Sequence, residues 1–232
     1  MKFNDYDVKL HKGGAIAWDA SDAILTWLEA NIKPGMKTLE TGAGKTTMVF
    51  ANCGASHQVI TPSDSEIENI KNEAKRVGID TSNVTFYNEF SQNILPKIAG
   101  HENLDVVLID GGHGFPIPAV DWLYTAPMLK IGGKLLIDDV DLWTGKMLVD
   151  LMRGEPEWRL ISIVRGRTAI FEKTAPFVAR EWVDQPTVVR KSWIPQTTRK
   201  IVNGLAMLLT LDFKQAWKKL SHEVALSKEA KD

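Results

Sequence analysis

The chain has 232 residues, 44% of them hydrophobic and 25% charged, with a formal net charge of −1. It can bury one substantial core, with or without an appendage, and its balanced charge argues against a protein that binds nucleic acid mainly through phosphate contacts. The single cysteine, Cys53, excludes an internal disulfide framework and fits a reducing compartment. The N-terminal stretch MKFNDYDVKLHK is polar throughout, and the apolar run GLAMLLTL falls far short of the roughly 20 residues a spanning helix needs. A soluble, cytoplasmic protein with no transmembrane segment is expected.

In chain order, residues 1–35 read as a helical lead-in, followed by short apolar runs: MKTLE (36–40), HQVI (57–60), NVTFY (83–87), LDVVLID (104–110) and KLLID (134–138). The last two have almost no polar alternation, as expected of strands buried on both faces. Between the second and third runs, Ser63-Asp64-Ser65-Glu66 is a capping box that opens a helix to about Val77, and Gly78 ends it. Another helix starts near Pro116 and Pro118 and runs toward Gly132-Gly133. After Asp139, WRLISIV (158–164) and TAIFEK (168–173) flank the turn RGR and should pair antiparallel. The expected fold is α/β: a Rossmann-like seven-stranded sheet of five parallel strands plus a C-terminal antiparallel hairpin, with helices on both faces. Residues 1–174 would form this domain, and 175–232 a helical C-terminal extension.

The stretch TLETGAGKTT (38–47) suggests a phosphate-binding loop, but the spacing fails. The first glycine of Gly-x-x-x-x-Gly-Lys-Thr would stand at Leu39, inside the strand. The dinucleotide pattern also misses, because Thr47 stands at its third glycine. What remains is Glu40, then Gly42-Ala43-Gly44, at the C-terminal end of the first strand, where open α/β sheets bind ligands. An acid there suits a ligand with hydroxyls and cationic groups rather than phosphates.

LETGAGKTTMVFA, ITPSDSEIENIK and DVVLIDGGHGFPIPAVDWLYTAPMLKIGGKLLIDDV, in this order, resemble the class I S-adenosylmethionine-dependent methyltransferases, in the branch with Asp-Gly-x-His after the fourth strand. The resemblance covers about residues 10–173. It implies S-adenosylmethionine as cofactor, held by Glu40, Gly42, Ala43 and Gly44, with Asp110 also at the cofactor. It further implies a ribose site where the second strand ends, at Thr61 with Asp64 and Glu66 nearby, and an adenine site at Glu89, Phe90 and Ser91. The chain departs from the family pattern at Thr46, which replaces a glycine, and at Thr61, which replaces the ribose-binding acid.

Asp110 ends the run VVLI, where a charged carboxylate should have a partner or a ligand. Asp138 and Asp139 end the fifth strand, so three carboxylates share one rim of the sheet. They repel one another unless a positive group lies between them. A divalent cation such as Mg²⁺ held by Asp110, Asp138 and Asp139 answers this, and the spacing is similar to that of metal-dependent O-methyltransferases acting on catechols or sugars. Alternatively, Asp138 or Asp139 caps the segment at Thr144. His113, flanked by glycines, is a candidate general base, with Asp110 as the other candidate catalytic group. His11, His57, His101 and His222 have no evident partner. Trp18, Trp122 and Trp143 are candidates for an acceptor pocket or for the core.

The expected activity is methyl transfer from S-adenosylmethionine to an oxygen of a small-molecule acceptor, with Mg²⁺ assistance where the aspartates hold the cation. The alternatives are an NAD(P)-dependent Rossmann oxidoreductase and a non-catalytic binding protein on the same fold. Arg199, Lys200, Lys214, Lys218 and Lys219 accompany Ile201, Leu205, Leu208 and Leu209 in the extension. This pattern suits packing on the domain or a homodimer contact more often than a membrane surface.

Overall fold

A computed structural model describes residues 20–100 and 103–209, together with Phe3 and Leu10. Trp18, His11, His101, His222 and the lysines beyond 209 lie outside the described residues. The elements are α1 (Asp22–Asn31), β1 (Lys37–Thr41), α2 (Lys45–Asn52), β2 (Ser56–Ile60), α3 (Asp64–Val77), β3 (Val84–Tyr87), α4 (Ser91–Ile98), β4 (Leu104–Ile109), α5 (Ile117–Met128), β5 (Leu129–Ile137), α6 (Trp143–Met152), β6 (Trp158–Val164), β7 (Thr168–Lys173) and α7 (Pro186–Leu209).

All seven strands form one sheet in the order β3-β2-β1-β4-β5-β7-β6. Neighbours from β3 to β5 pair parallel, and β7 runs antiparallel to both β5 and β6. This is the Rossmann-like sheet with a terminal antiparallel hairpin. Strand order reverses between β1 and β4, and their C-terminal ends open the crevice in which such sheets bind ligands.

Side-chain alternation divides the core between the two faces of the sheet. Val106 and Leu108 of β4 pack with Ile24, Leu25 and Leu28 of α1 and Met48, Val49 and Phe50 of α2. Val107 and Ile109 pack on the other side with Leu95 of α4, Met128 of α5 and Leu148 of α6. The continuous apolar run of β4 is therefore explained by burial on both faces. Half of the expected α3 capping box forms: Glu66 N–H donates to Ser63 Oγ at 3.3 Å, while Ser63 N–H donates to Thr61 Oγ1 at 3.4 Å, and Gly78 closes the helix at φ 77°.

The chain divides into two compact units, Met1–Ala179 and Arg180–Asp232. The first unit extends past 174 because Phe177 packs edge-on against Trp122, ring centres 5.4 Å apart. Trp122 thereby belongs to the core and not to a pocket wall.

Candidate active site

At the crevice lies a cavity of about 880 Å³, lined chiefly by the turns that follow β1, β2, β3, β4 and β5. Gly42 and Ala43 form its floor beside Asp110 and Gly111. Gly42 has φ 90°, and a Cβ there would lie 2.1 Å from the Asp110 carbonyl oxygen. The glycine therefore lets the β1 turn cross the end of β4, so its first service is to the backbone and not to a ligand.

Glu40 does not line the cavity. Alternation along β1 sends it to the α2 side of the sheet, where it is 1% exposed. There its carboxylate accepts hydrogen bonds from Thr46 Oγ1 at 2.7 Å and from Thr47 Oγ1, while Gly44 N–H donates to Thr47 Oγ1 at 3.1 Å. His57 Nε2 lies 3.1 Å from Glu40 Oε1, its Nδ1 is 2.7 Å from Thr38 Oγ1, and its ring stacks on Phe50 at 4.2 Å. Gly44 is likewise outside the cavity wall, as N-cap of α2. Thr46, which breaks the glycine pattern, thus satisfies a buried acid, and His57 has a partner that sequence alone did not disclose.

Thr61 follows β2 and lines the cavity, and its Oγ1 donates to Glu66 Oε2 at 3.0 Å. Glu66 also lines the cavity. Asp64 instead turns outward and bonds Asn88 Nδ2. After β3, Phe90, Ser91 and Gln92 line the wall. Glu89 does not; it accepts hydrogen bonds from Phe90 N–H at 2.8 Å and Asn93 Nδ2 at 3.1 Å, bonds that hold its carboxyl below the usual range. Gln92 was missed at the sequence level because nothing in its neighbours marks it.

The three aspartates separate. Asp138 is buried, bonded by Thr168 Oγ1, with Arg167 Nη2 3.5 Å from its other oxygen. Asp139, at φ 51°, turns the opposite way and lines the cavity. Arg167 Nε donates to its Oδ1 at 2.7 Å, and His113 Nε2 lies 3.1 Å from its Oδ2. Thr144 Oγ1 donates to the His113 carbonyl at 2.7 Å, fixing the loop that carries the imidazole. Burial pushes Asp110 well above the usual carboxylate range, and the neighbouring Asp138, Asp139 and Glu40 push it further.

The expected Asp110–Asp138–Asp139 cation set is therefore not formed. The positive group among these acids is the guanidinium of Arg167, from the RGR turn between β6 and β7. Its position follows from β7 pairing antiparallel with β5, since Ile137 faces Ala169 and the RGR turn must return beside Asp138. A different trio, Asp110, His113 and Asp139, offers one ligand atom each within 4.8 Å of one another. That donor set fits a hard divalent cation, although Asp139 is already shared between His113 and Arg167.

Phe115 and Trp143 are both exposed and meet at 5.9 Å between ring centres, next in sequence to the loops that supply His113 and Leu142 to the cavity.

A strand-order reversal with a glycine turn at β1 and a carboxylate ending β4 is the arrangement of the Rossmann-like methyltransferase fold. Residues 39–140 match the family described as a methyltransferase domain. No curated protein matches the chain in sequence. Among solved structures, the chain is similar to an O-methyltransferase of Streptomyces achromogenes involved in tomaymycin synthesis, in complex with S-adenosylmethionine. The two share 15% identity at TM-score 0.57, over 68% of this chain and 82% of that one. It is also similar to an S-adenosylhomocysteine-bound methyltransferase of Podospora anserina (16%, TM-score 0.54, 68% and 81%) and to an rRNA methylase of Streptococcus thermophilus (12%, TM-score 0.52, 66% and 96%). At these identities the likeness speaks for the fold. Because the fold is shared with rRNA methylases, it lends no support to the expectation that nucleic acid is excluded as a partner. The described helices include none long and apolar enough to cross a membrane.

Proposed function

We propose that the protein transfers the methyl group of S-adenosylmethionine to an oxygen of a small-molecule acceptor. The observation that carries this reading is the His113–Asp139 pair facing the cavity beside Asp110. The sulfonium methyl is already electrophilic, so the protein must align donor and acceptor and receive one proton. With Nε2–H donated to Asp139, His113 Nδ1 carries the lone pair that takes the acceptor's hydroxyl proton. The acceptor oxygen then forms the new O–CH₃ bond as the S–CH₃ bond breaks, and S-adenosylhomocysteine leaves. Arg167 holds Asp139 in place, and Asp110 can accept a hydrogen bond from the acceptor or the cofactor. Thr61 and Glu66 take the ribose hydroxyls, Phe90, Ser91 and Gln92 the adenine, and Phe115 with Trp143 offers the acceptor an apolar face.

The Asp110–His113–Asp139 trio favours a second reading, in which these residues hold a divalent cation that lowers the acceptor's pKa. His113→Ala should lower kcat by about 10²–10⁴-fold while leaving S-adenosylhomocysteine binding unchanged by calorimetry. Undiminished wild-type turnover in excess chelator supports His113 as the base, and loss restored by Mg²⁺ or Mn²⁺ supports the cation. A His113→Ala variant with normal kcat would sink both.

A further inference from the structure

Asp121 lies on α5, one turn past Ile117, which lines the cavity. It is fully buried. Besides burial, the groups that act on its carboxyl are the hydroxyls of Ser91 and Thr41, each lowering its pKa by hydrogen bonding, and no cation is among them. Neither of its carboxylate oxygens completes a bond of good geometry, and Thr41 Oγ1 is in the same position. Both hydroxyls belong to the cavity wall, since Thr41 ends β1 and Ser91 opens α4. A buried acid with no cation beside it costs stability, and an apolar residue would serve the core better, so this one calls for a use.

Ser91 and Gln92 are polar side chains of the wall where the proposed function seats adenine. A hydroxyl turns to donate or to accept, and an amide flips to offer oxygen or N–H. By themselves, neither tells an exocyclic amine from a carbonyl oxygen at the same place. We propose that Asp121 is a positioning residue that makes this wall selective for an amino-bearing base. Its carboxylate draws the Ser91 O–H inward, so that Ser91 Oγ offers the cavity only lone pairs. An exocyclic amine donates to that oxygen, whereas a carbonyl meets it lone pair to lone pair. Thr41 serves the second carboxylate oxygen. It is packed against Gly111, where a Cβ would stand 3.2 Å from both its Cβ and its Oγ1. Thr125 Oγ1 donates to the Asp121 carbonyl at 2.7 Å and steadies the helix at that point. The inference rests on the adenine role proposed for Ser91 and adds to it a residue outside the cavity lining.

Calorimetry on the full chain tests it, with S-adenosylhomocysteine and with S-inosylhomocysteine, which has a carbonyl oxygen in place of the exocyclic amine. The wild-type protein should bind the amine form at least about tenfold tighter. Asp121→Asn should bring that ratio toward one, because an amide can donate to Ser91 as well as accept from it. Ser91→Ala should do the same, and in that background Asp121→Asn should change the ratio no further. A purely structural Asp121 would weaken both ligands alike. A ratio unchanged in Asp121→Asn, or no preference in the wild-type protein, overturns the proposal and leaves the methyl-donor reading standing. Binding of neither compound overturns both.

Discussion

The carboxylate of Glu66 reaches the cavity from the first turn of α3, where Thr61 Oγ1 donates to it at 3.0 Å. The end of β2 lacks an acid, and α3 supplies one three residues past its N-cap. With Glu66 in the proposed ribose-binding role, Glu66→Gln would keep the shape but weaken hydrogen bonds from the hydroxyls, and should reduce S-adenosylhomocysteine affinity about tenfold by calorimetry. Asp64→Asn, at a residue outside the cavity wall, should leave that affinity unchanged. Gly42 teaches a related caution. Any side chain there strikes the Asp110 carbonyl, so reduced cofactor binding by Gly42→Val reports a displaced turn as much as a blocked site. Asp121 lies under the cavity on α5 with no exposure, and burial raises its pKa despite the Thr41 and Ser91 hydroxyls, which lower it. Its folded pKa thus exceeds the unfolded value of about 3.9. The folded state holds the proton more tightly, so this contribution is full below that pH and is lost as pH rises through the folded pKa. Asp121→Asn should flatten the fall in urea midpoint above pH 4 and be the more stable protein at pH 7.

At the level of elements, β7 contributes more than a ladder. Lys173, at its end, is 4% exposed and donates from Nζ to the carbonyls of Ala126 and Leu129 at 2.7 and 2.6 Å. These belong to the last turn of α5 and the residue after it, where helix carbonyls lack partners of their own. Lys173→Met should cost about 2 kcal/mol, read as a lower denaturant midpoint with little change in slope. Periodicity made the strands legible, and the Ser63 box made α3 legible to within a residue, because both depend on neighbours along the chain. The partners of Glu40 were not legible. Thr46 and Thr47 are close in sequence, but whether an acid at a strand tip faces a ligand or the helix beneath depends on which face of β1 meets α2. Arg167 was legible in principle from the hairpin's direction, yet a two-residue motif in a turn carries no mark of what it reaches. The separation of Asp138 from Asp139 rests on one backbone angle, which composition does not encode.

At the scale of the whole molecule, the chain forms two compact units. The first ends at Ala179, with Phe177 still locked on Trp122. A chain stopped after Ala179 should fold and keep its thermal shift with S-adenosylhomocysteine, whereas one stopped at Thr174 should melt earlier for want of that ring contact. Among the described residues the cavity is lopsided in charge: Glu66, Asp139 and Asp141 line it against Arg167, with Asp110, whose pKa burial raises, beside them. On the proposed function, the methyl donor enters as a sulfonium cation and departs as a neutral thioether. A surplus of carboxylates would then hold the charged form more tightly than the spent one, and loosen its grip at the moment the methyl departs. Such a site would resist clogging by its own product, and a competitive inhibitor that keeps a fixed cation at the sulfur position should outbind one that copies the thioether.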